Sequence, residues 1–416
     1  MALKPIDVVR KHRPDYMILL FMGIIMLIGL VMIYAIGHQR ANVLNNIFGT
    51  NYSENYFFIN QLISIVLSLG VFFAASKMPV KYIQKVAKYV LIIGVLACLV
   101  LALGGALGLG FAQCTYGACR WYNIGGKSLQ PAEILKLGML LYLSLFLAAR
   151  FKQKKLDRSE TLIPLAVLCG IAMILVVVVQ KDLGTGVVLG MMVLSMLLIA
   201  GVSKKILLLL LGGAVILGVI FTVGTPHRRE RLATFLSGDT STVDDDEAYH
   251  VTNAKIAIGT GGLMGVGIGN SVQATGYLPE SINDSIFAIM GETFGFVGIV
   301  VVILLFVALL SRLLKTVYFL HSDVGRVLVA GVFGWIAAHM IMNIAAMIGL
   351  VPLTGITLPF LSYGGTSMIF LAAALGLVFN LSRYTAHSPA EEGGDDESLS
   401  SRRRLGRPRY ASRSRN

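Results

Sequence analysis

Charge is scarce in this sequence. Asp, Glu, Lys and Arg make up 14% of its 416 residues, against about 25% in soluble globular chains. With 56% hydrophobic residues beside that shortfall, a soluble fold is excluded. Acids are scarcer than bases, 22 against 35, for a net charge of +13. In so apolar a chain the surplus belongs to cytoplasmic loops, not to a nucleic-acid face. Cysteine occurs four times. Cys98 and Cys169 fall in apolar runs and read as packing. Cys114 and Cys119 (CTYGAC) are too few for a metal site alone; sharing a short loop, they would pair if it faces an oxidising compartment. A cleavable signal peptide is not expected, because the first apolar run is long enough to span and has no small-residue cleavage pattern.

What the chain has in quantity is apolar runs near 20 residues, the length that crosses a bilayer as a helix. The expectation is an all-α polytopic membrane protein of ten transmembrane helices, at 17–37, 57–75, 90–111, 134–149, 162–179, 183–201, 206–223, 284–310, 327–350 and 359–381. Basic residues crowd every second connection: 4–13, 77–88, 150–158, 204–205, 312–326 and Arg383. The positive-inside rule then makes both termini cytoplasmic and leaves 38–56, 112–132, 181–182, 224–283 and 351–358 outside. Three parts follow: a cytoplasmic segment 1–16, a membrane domain 17–385, and a tail 386–416. The tail has an acidic block at 391–397, then seven arginines between Arg402 and Arg415. It cannot bury a core and reads as disordered, with anionic lipid or a partner as equal prospects for its arginines.

The external stretch 224–283 is too long to be a mere connector. It holds a basic cluster with Arg228 (HRRER), an acidic run (DDDE, 244–247) and a glycine-rich piece (GTGGLMGVGIGN). The last is no dinucleotide fingerprint, for want of a strand–helix context; close packing, a re-entrant turn and a phosphate nest stay open. The acidic run reads as a solvated loop. The stretch then leads into GYLPESINDSIFAIMGETFG, 276–295, polar at its start and apolar at its end. Pro279 is expected to start a helical turn, and Asn283 and Asp284 to sit at the cap of the eighth span. Asp284 is either an ordinary N-cap or a base at the membrane surface.

Other charged and hydroxyl residues gather at the same external ends, where charge near membrane depth asks for a reason. Arg120 precedes the fourth span, followed by Lys127, Gln130, Glu133 and Lys136. Glu133 and Lys136 share a helix face, as an ion pair or as part of a cationic pocket for an anionic lipid head group. Asp182, between spans five and six, would cap the sixth or orient a cation. GLVPLTGITLPFLSYGGTS, 349–367, breaks helix at membrane depth, so it must be shielded by protein or line a cavity; Ser362, Tyr363 and Thr366 offer hydroxyls. One candidate base, several cations and a gap between helices suit a substrate with its tail in the bilayer and a diphosphate outside. Cations would stabilise the leaving diphosphate, and the base would take a sugar hydroxyl's proton.

RWYNIGGKSLQPAEILKLG, QKDLGTGVVL, RRERLATFL, AKIAIGTGGLMGVGIGNSVQATGYLPESINDSIFAIMGETFGFVG and GLVPLTGITLPFLSYGGTS come in one order across 120–367. Together they resemble the SEDS family of cell-wall proteins, its FtsW branch more than its RodA branch. The resemblance implies a peptidoglycan glycosyltransferase that polymerises lipid II outside the cytoplasmic membrane, for septal wall synthesis. It implies a class B penicillin-binding protein and other division proteins as partners, and undecaprenyl diphosphate as leaving group. The family's essential aspartate falls on Asp284. Arg120, Lys136 and Arg228 would hold diphosphates, with Lys127, Gln130, Glu133, Glu280, Ser362 and Tyr363 as further substrate contacts. A divalent cation, Mg or Mn, is the expected helper. Three departures stand out. Ile282-Asn283-Asp284-Ser285 replaces the usual His-Thr-Asp-Phe, Lys181 replaces a proline, and Thr293 stands where a second acid often follows Glu292. Two other classes stay in view: a transporter of a lipid-linked precursor, which ten helices with broken segments would suit, and a non-catalytic division scaffold.

Overall fold

The computed structural model describes residues 12–115, 118–125, 127–223 and 246–385. Arg228, the basic cluster around it and the tail 386–416 lie outside them. The helices are α1 (Tyr16–Phe48), α2 (Tyr56–Ser76), α3 (Val80–Ala106), α4 (Pro131–Lys152), α5 (Ser159–Met173), α6 (Leu183–Ala200), α7 (Lys204–Val223), α8 (Asp246–Thr260), α9 (Ile286–Phe319), α10 (Asp323–Met347) and α11 (Gly365–Leu381). Among the described residues nine helices are long and apolar enough to cross a membrane. α7 stands where the seventh span is expected. Helix ends differ most from expectation at α1, which runs to Phe48 past the expected 37, and at α3. Pro79, the N-cap of α3, starts that helix ten residues before the expected 90, as proline's fixed φ allows.

Glycines set the closest crossings. A Cβ at Gly94 would lie 2.7 Å from the Leu135 backbone, and one at Gly138 2.6 Å from the Leu91 backbone, so α3 and α4 touch chain to chain. Gly331 and Gly334 give room on α10 for the Met196 and Ser195 side chains of α6. Without a hydrophobic drive between helices in lipid, such close approach is what gives packing its strength.

Two features of the long connections depart from the sequence expectation. The connection 107–130 carries a small antiparallel sheet, β1 (Ala112–Thr115), β2 (Ala118–Ile124) and β3 (Lys127–Leu129), in that spatial order. Cys114 and Cys119 face each other across β1 and β2 and are joined by a disulfide. The long connection before α9 contains α8, which packs on α9 through Gly261 and Gly291, where a Cβ would meet backbone.

α9 is itself broken at Gly295 (φ 67, ψ −164), a region essentially reserved for glycine. The break is repaired from outside. The N–H groups of Val266 and Gly267 donate to the carbonyls of Glu292 and Thr293, at 2.9 and 3.0 Å. The N–H groups of Phe296 and Val297 donate to those of Gly262 and Leu263, at 2.9 and 3.2 Å. The glycine-rich piece is therefore a splint laid into the helix, and of its open readings close packing is the one the geometry bears out. Gly295→Ala is expected to lower the thermal unfolding midpoint, by roughly 1–3 kcal/mol from backbone strain and further because a Cβ there would meet Leu263 and Gly265. Gly190→Ala, facing open space in α6, should leave the midpoint unchanged or higher.

Candidate active site

Asp284 is not a helix cap. α9 begins two residues later, its N-cap is Ser285, and no side chain caps it. Residues 276–285 form turns instead, with Glu280 held at φ 48. The N–H groups of Asn283 and Ser285 both donate back to the Glu280 carbonyl, at 2.9 and 3.2 Å. Asp284 is 8% exposed, and its Oδ1 has no hydrogen-bond partner in the protein.

Burial, and next to it the negative charge of Glu280, push the Asp284 carboxyl up to about 7. The N–H groups of Asp284 and Ser285 and the Arg40 charge pull the other way without prevailing. A capping carboxylate would instead be held low by the helix terminus. Glu280 is ion-paired to Arg40 at 3.1 Å and also accepts from the Asn283 amide.

Neighbouring elements fix this turn. The side-chain amide of Asn343 on α10 donates to the Asp284 carbonyl and to the Ile356 carbonyl, both at 2.7 Å. The Tyr363 N–H donates to the Ile282 carbonyl at 2.8 Å. Gly355 (φ 66) lies so close that a Cβ there would sit 4.0 Å from Asp284 Oδ2. Ser285 Oγ donates to the Pro279 carbonyl at 2.8 Å. His250 of α8, 2.5 Å from that oxygen, must then carry its proton on Nε2 and donate. Burial lowers the His250 pKa, against an opposing pull from Glu280, which keeps the ring neutral.

A second cluster lies where α4, α6 and the small sheet meet. Lys136 pairs with Glu133 at 2.8 Å, both 1–2% exposed. Its ammonium is also 3.3 Å from His339 Nε2 and 4.8 Å from the Trp335 ring centroid. Glu133 and Lys136 thus form an ion pair inside the bundle. Arg120 donates to the Gln180 and Lys181 carbonyls at 3.3 and 2.7 Å, and Gln130 to Asp182 at 3.2 Å. Asp182 caps α6 by accepting from the Thr185 N–H at 2.9 Å. Lys127 is placed on β3, its backbone opposite Ile124.

The segment 349–364 joins the clusters. Thr354 lies against Gly184, the Ile356 carbonyl takes Asn343, and the Thr357 carbonyl takes His339 at 3.1 Å. Ser362 is spent inside it, its Oγ accepting from the Leu358 N–H at 2.8 Å. Tyr363 packs edge-on to Phe57, and burial pushes its phenol up to about 12, so it stays protonated. Sequence reading missed Arg40, His250, Asn343 and His339. The first two sit in regions read as a connection, the last two mid-span, where only their polarity marked them.

The family model for cell cycle proteins of the FtsW/RodA/SpoVE type matches residues 15–387. The chain belongs to that family. It is 32% identical over 393 residues to a probable peptidoglycan glycosyltransferase FtsW of Bacillus subtilis, covering 90% of this chain and 92% of that one. It is 30% identical over 381 residues to stage V sporulation protein E of the same organism, covering 91% and 99%. Among solved structures, a chain of a peptidoglycan synthase complex that coordinates polymerization and crosslinking matches with TM-score 0.68 at 23% identity, over 90% of this chain and 99% of that one. The rod shape determining protein RodA of Thermus thermophilus matches with TM-score 0.64 at 23% identity, over 90% and 98%. The fold is thus that of an FtsW/RodA/SpoVE protein.

An acid whose folded pKa is raised destabilises the fold as it ionises. The penalty starts above the unfolded value near 3.8 and levels off above about 7, at roughly 4 kcal/mol. Asp284→Asn should therefore melt at a higher temperature than the parent at pH 8, and the gap should close by pH 4.

Proposed function

We propose that this protein is a peptidoglycan glycosyltransferase that polymerises lipid II on the outer face of the bacterial cytoplasmic membrane, for septal wall synthesis. The observation that carries this is a buried carboxylate with an unpartnered oxygen, two residues before the start of a long apolar helix and poised near neutrality. A general base works best with a pKa near the operating pH, and Asp284 meets that condition where a cap would not.

Asp284 Oδ1 takes the proton of the C4 hydroxyl of the acceptor's N-acetylglucosamine. That oxygen forms a bond to the anomeric carbon of the donor's muramyl sugar. The bond from that carbon to the diphosphate breaks, and undecaprenyl diphosphate leaves with the electron pair. One displacement inverts the centre, so no second carboxylate acts as nucleophile, in contrast to retaining glycosidases. Glu280 raises the basicity of Asp284, and Arg40 keeps Glu280 in place. Asn343 sets the position of the Asp284 peptide.

The expected divalent cation is given no protein cage here. Among the described residues no three His, Cys, Asp or Glu side chains gather to hold a metal, and Glu280 is committed to Arg40 and Asn283. No step is routed through one. Arg120 and Lys136 make protein contacts in this state, so a diphosphate would compete with carbonyls for Arg120 and with Glu133 for Lys136. A class B penicillin-binding protein would crosslink the product, in keeping with the fold shared with a chain of a peptidoglycan synthase complex.

Purified protein given lipid II should build glycan strands. Asp284→Ala and Asp284→Asn should abolish this while the protein stays folded and monodisperse. A substantial residual rate, or lipid II moved across proteoliposomes without joining, would remove the assignment. The acid limb of the rate profile should lie near pH 7. Glu280→Gln should move it to lower pH, since removing that negative charge lets Asp284 ionise more easily.

A further inference from the structure

We propose that the groove between α3, α4 and α5 is a binding site for an anionic phospholipid, taken from the leaflet at the basic ends of these helices. The groove has a volume of about 430 Å³, within the roughly 300–1,000 Å³ of ordinary ligand sites. It is lined by Lys88 and Ile92 of α3, Tyr142 and Phe146 of α4, and Pro164 and Leu168 of α5, among others.

Its origin is in the backbone. α3 and α4 touch chain to chain at Gly94 and Gly138. One turn from this crossing, Lys88 of α3 and Tyr142 and Phe146 of α4 line the groove. α5 enters beside this groove with Pro164 in its second turn, where the ring removes one helical hydrogen bond and pushes the turn outward. The outcome is a slot walled by three helices and opening sideways, toward hydrocarbon. An acyl chain fits such walls.

Charge sets the head group. Lys88 is exposed, and no ion pair holds it among the described residues. Arg150 lies one turn beyond Phe146 and places its guanidinium 5.3 Å from that ring's centroid, donating at 3.4 Å to the side-chain amide oxygen of Gln153. Glu160, an acid within reach of the Arg150 charge, is paired to Lys155 at 2.7 Å. Two cations therefore flank an apolar slot at the basic end of the bundle, the arrangement that takes a lipid phosphate. A zwitterionic head group would satisfy them less well, because its own ammonium competes. This slot is remote in sequence and side from the Asp284 cluster, so it is separate from the substrate site.

The test is native mass spectrometry of the full chain in detergent, with phosphatidylglycerol or phosphatidylcholine of matched acyl chains. The parent should retain one phosphatidylglycerol in preference to phosphatidylcholine. Lys88→Ala with Arg150→Ala should reduce that preference roughly 10- to 30-fold. Ile92→Trp, on an exposed wall position, should lower retention of both lipids by filling the slot. Equal retention of the two lipids by the parent overturns the proposal, and needs no variant to fold. So does undiminished phosphatidylglycerol retention in a double variant that melts like the parent. Glycan polymerisation plays no part in the readout, so failure here leaves the role of Asp284 standing.

Discussion

A peptide group at membrane depth has no water to bond with, so every break in a helix there must be repaired by the protein itself. This family member breaks its helices repeatedly near their ends, and each repair recruits a distant segment. The Gly295 break is closed by residues 262–267. The carbonyls released after the π-helical stretch Ile174–Val179 are taken by Arg120 from the small sheet. The irregular run 349–364 is held by Asn343, His339 and its own Ser362. The run 349–364 links to the turn that carries Asp284 through Asn343 and the Tyr363 N–H.

Asp284 owes its chemistry to the same arrangement. A carboxylate at a regular helix start would meet free N–H groups and be stabilised as an anion. Here the turn 276–285 bonds to itself through the Glu280 carbonyl, α10 holds the Asp284 peptide from behind, and Glu280 lies near. The side chain is left dry and beside a like charge, and both effects raise its basicity. The departures from the usual His-Thr-Asp-Phe make structural sense in part. Ser285 links Pro279 to His250, and Asn283 satisfies one oxygen of Glu280, so the replaced residues tie the turn together. Nothing in the structure explains Thr293.

Much of the fold was legible from apolar run length, because a bilayer demands it. The positions of α2, α6 and α7 were off by no more than a few residues. The sheet at 112–129 was not legible: its strands are short, polar and broken by glycines, and only Cys114 and Cys119 marked it. α8 was hidden by its low hydropathy within a long loop. Asp284 and the irregular run 349–364 were both legible as breaks at helix ends, and the structure ties the run to the turn 276–285 through the Tyr363 N–H on the Ile282 carbonyl and through Asn343. The cap reading failed because Asn283 and Asp284 carry strong capping preferences that tertiary bonds overrode. Lys136 was visible as half of a pair, but its burial against Trp335 and His339 needed the three-dimensional contact between α4 and α10.

The splint at Gly295 ties the evolution of two stretches that lie some thirty residues apart. Four main-chain bonds pass between them, and none depends on side-chain identity beyond the small residues that permit the approach. Sequence drift on the splint's outward side is thus tolerated, while insertion or deletion of a single residue on either partner would shift every pairing. An outer loop transplanted between relatives would need to travel together with the first turns of α9, as one cassette.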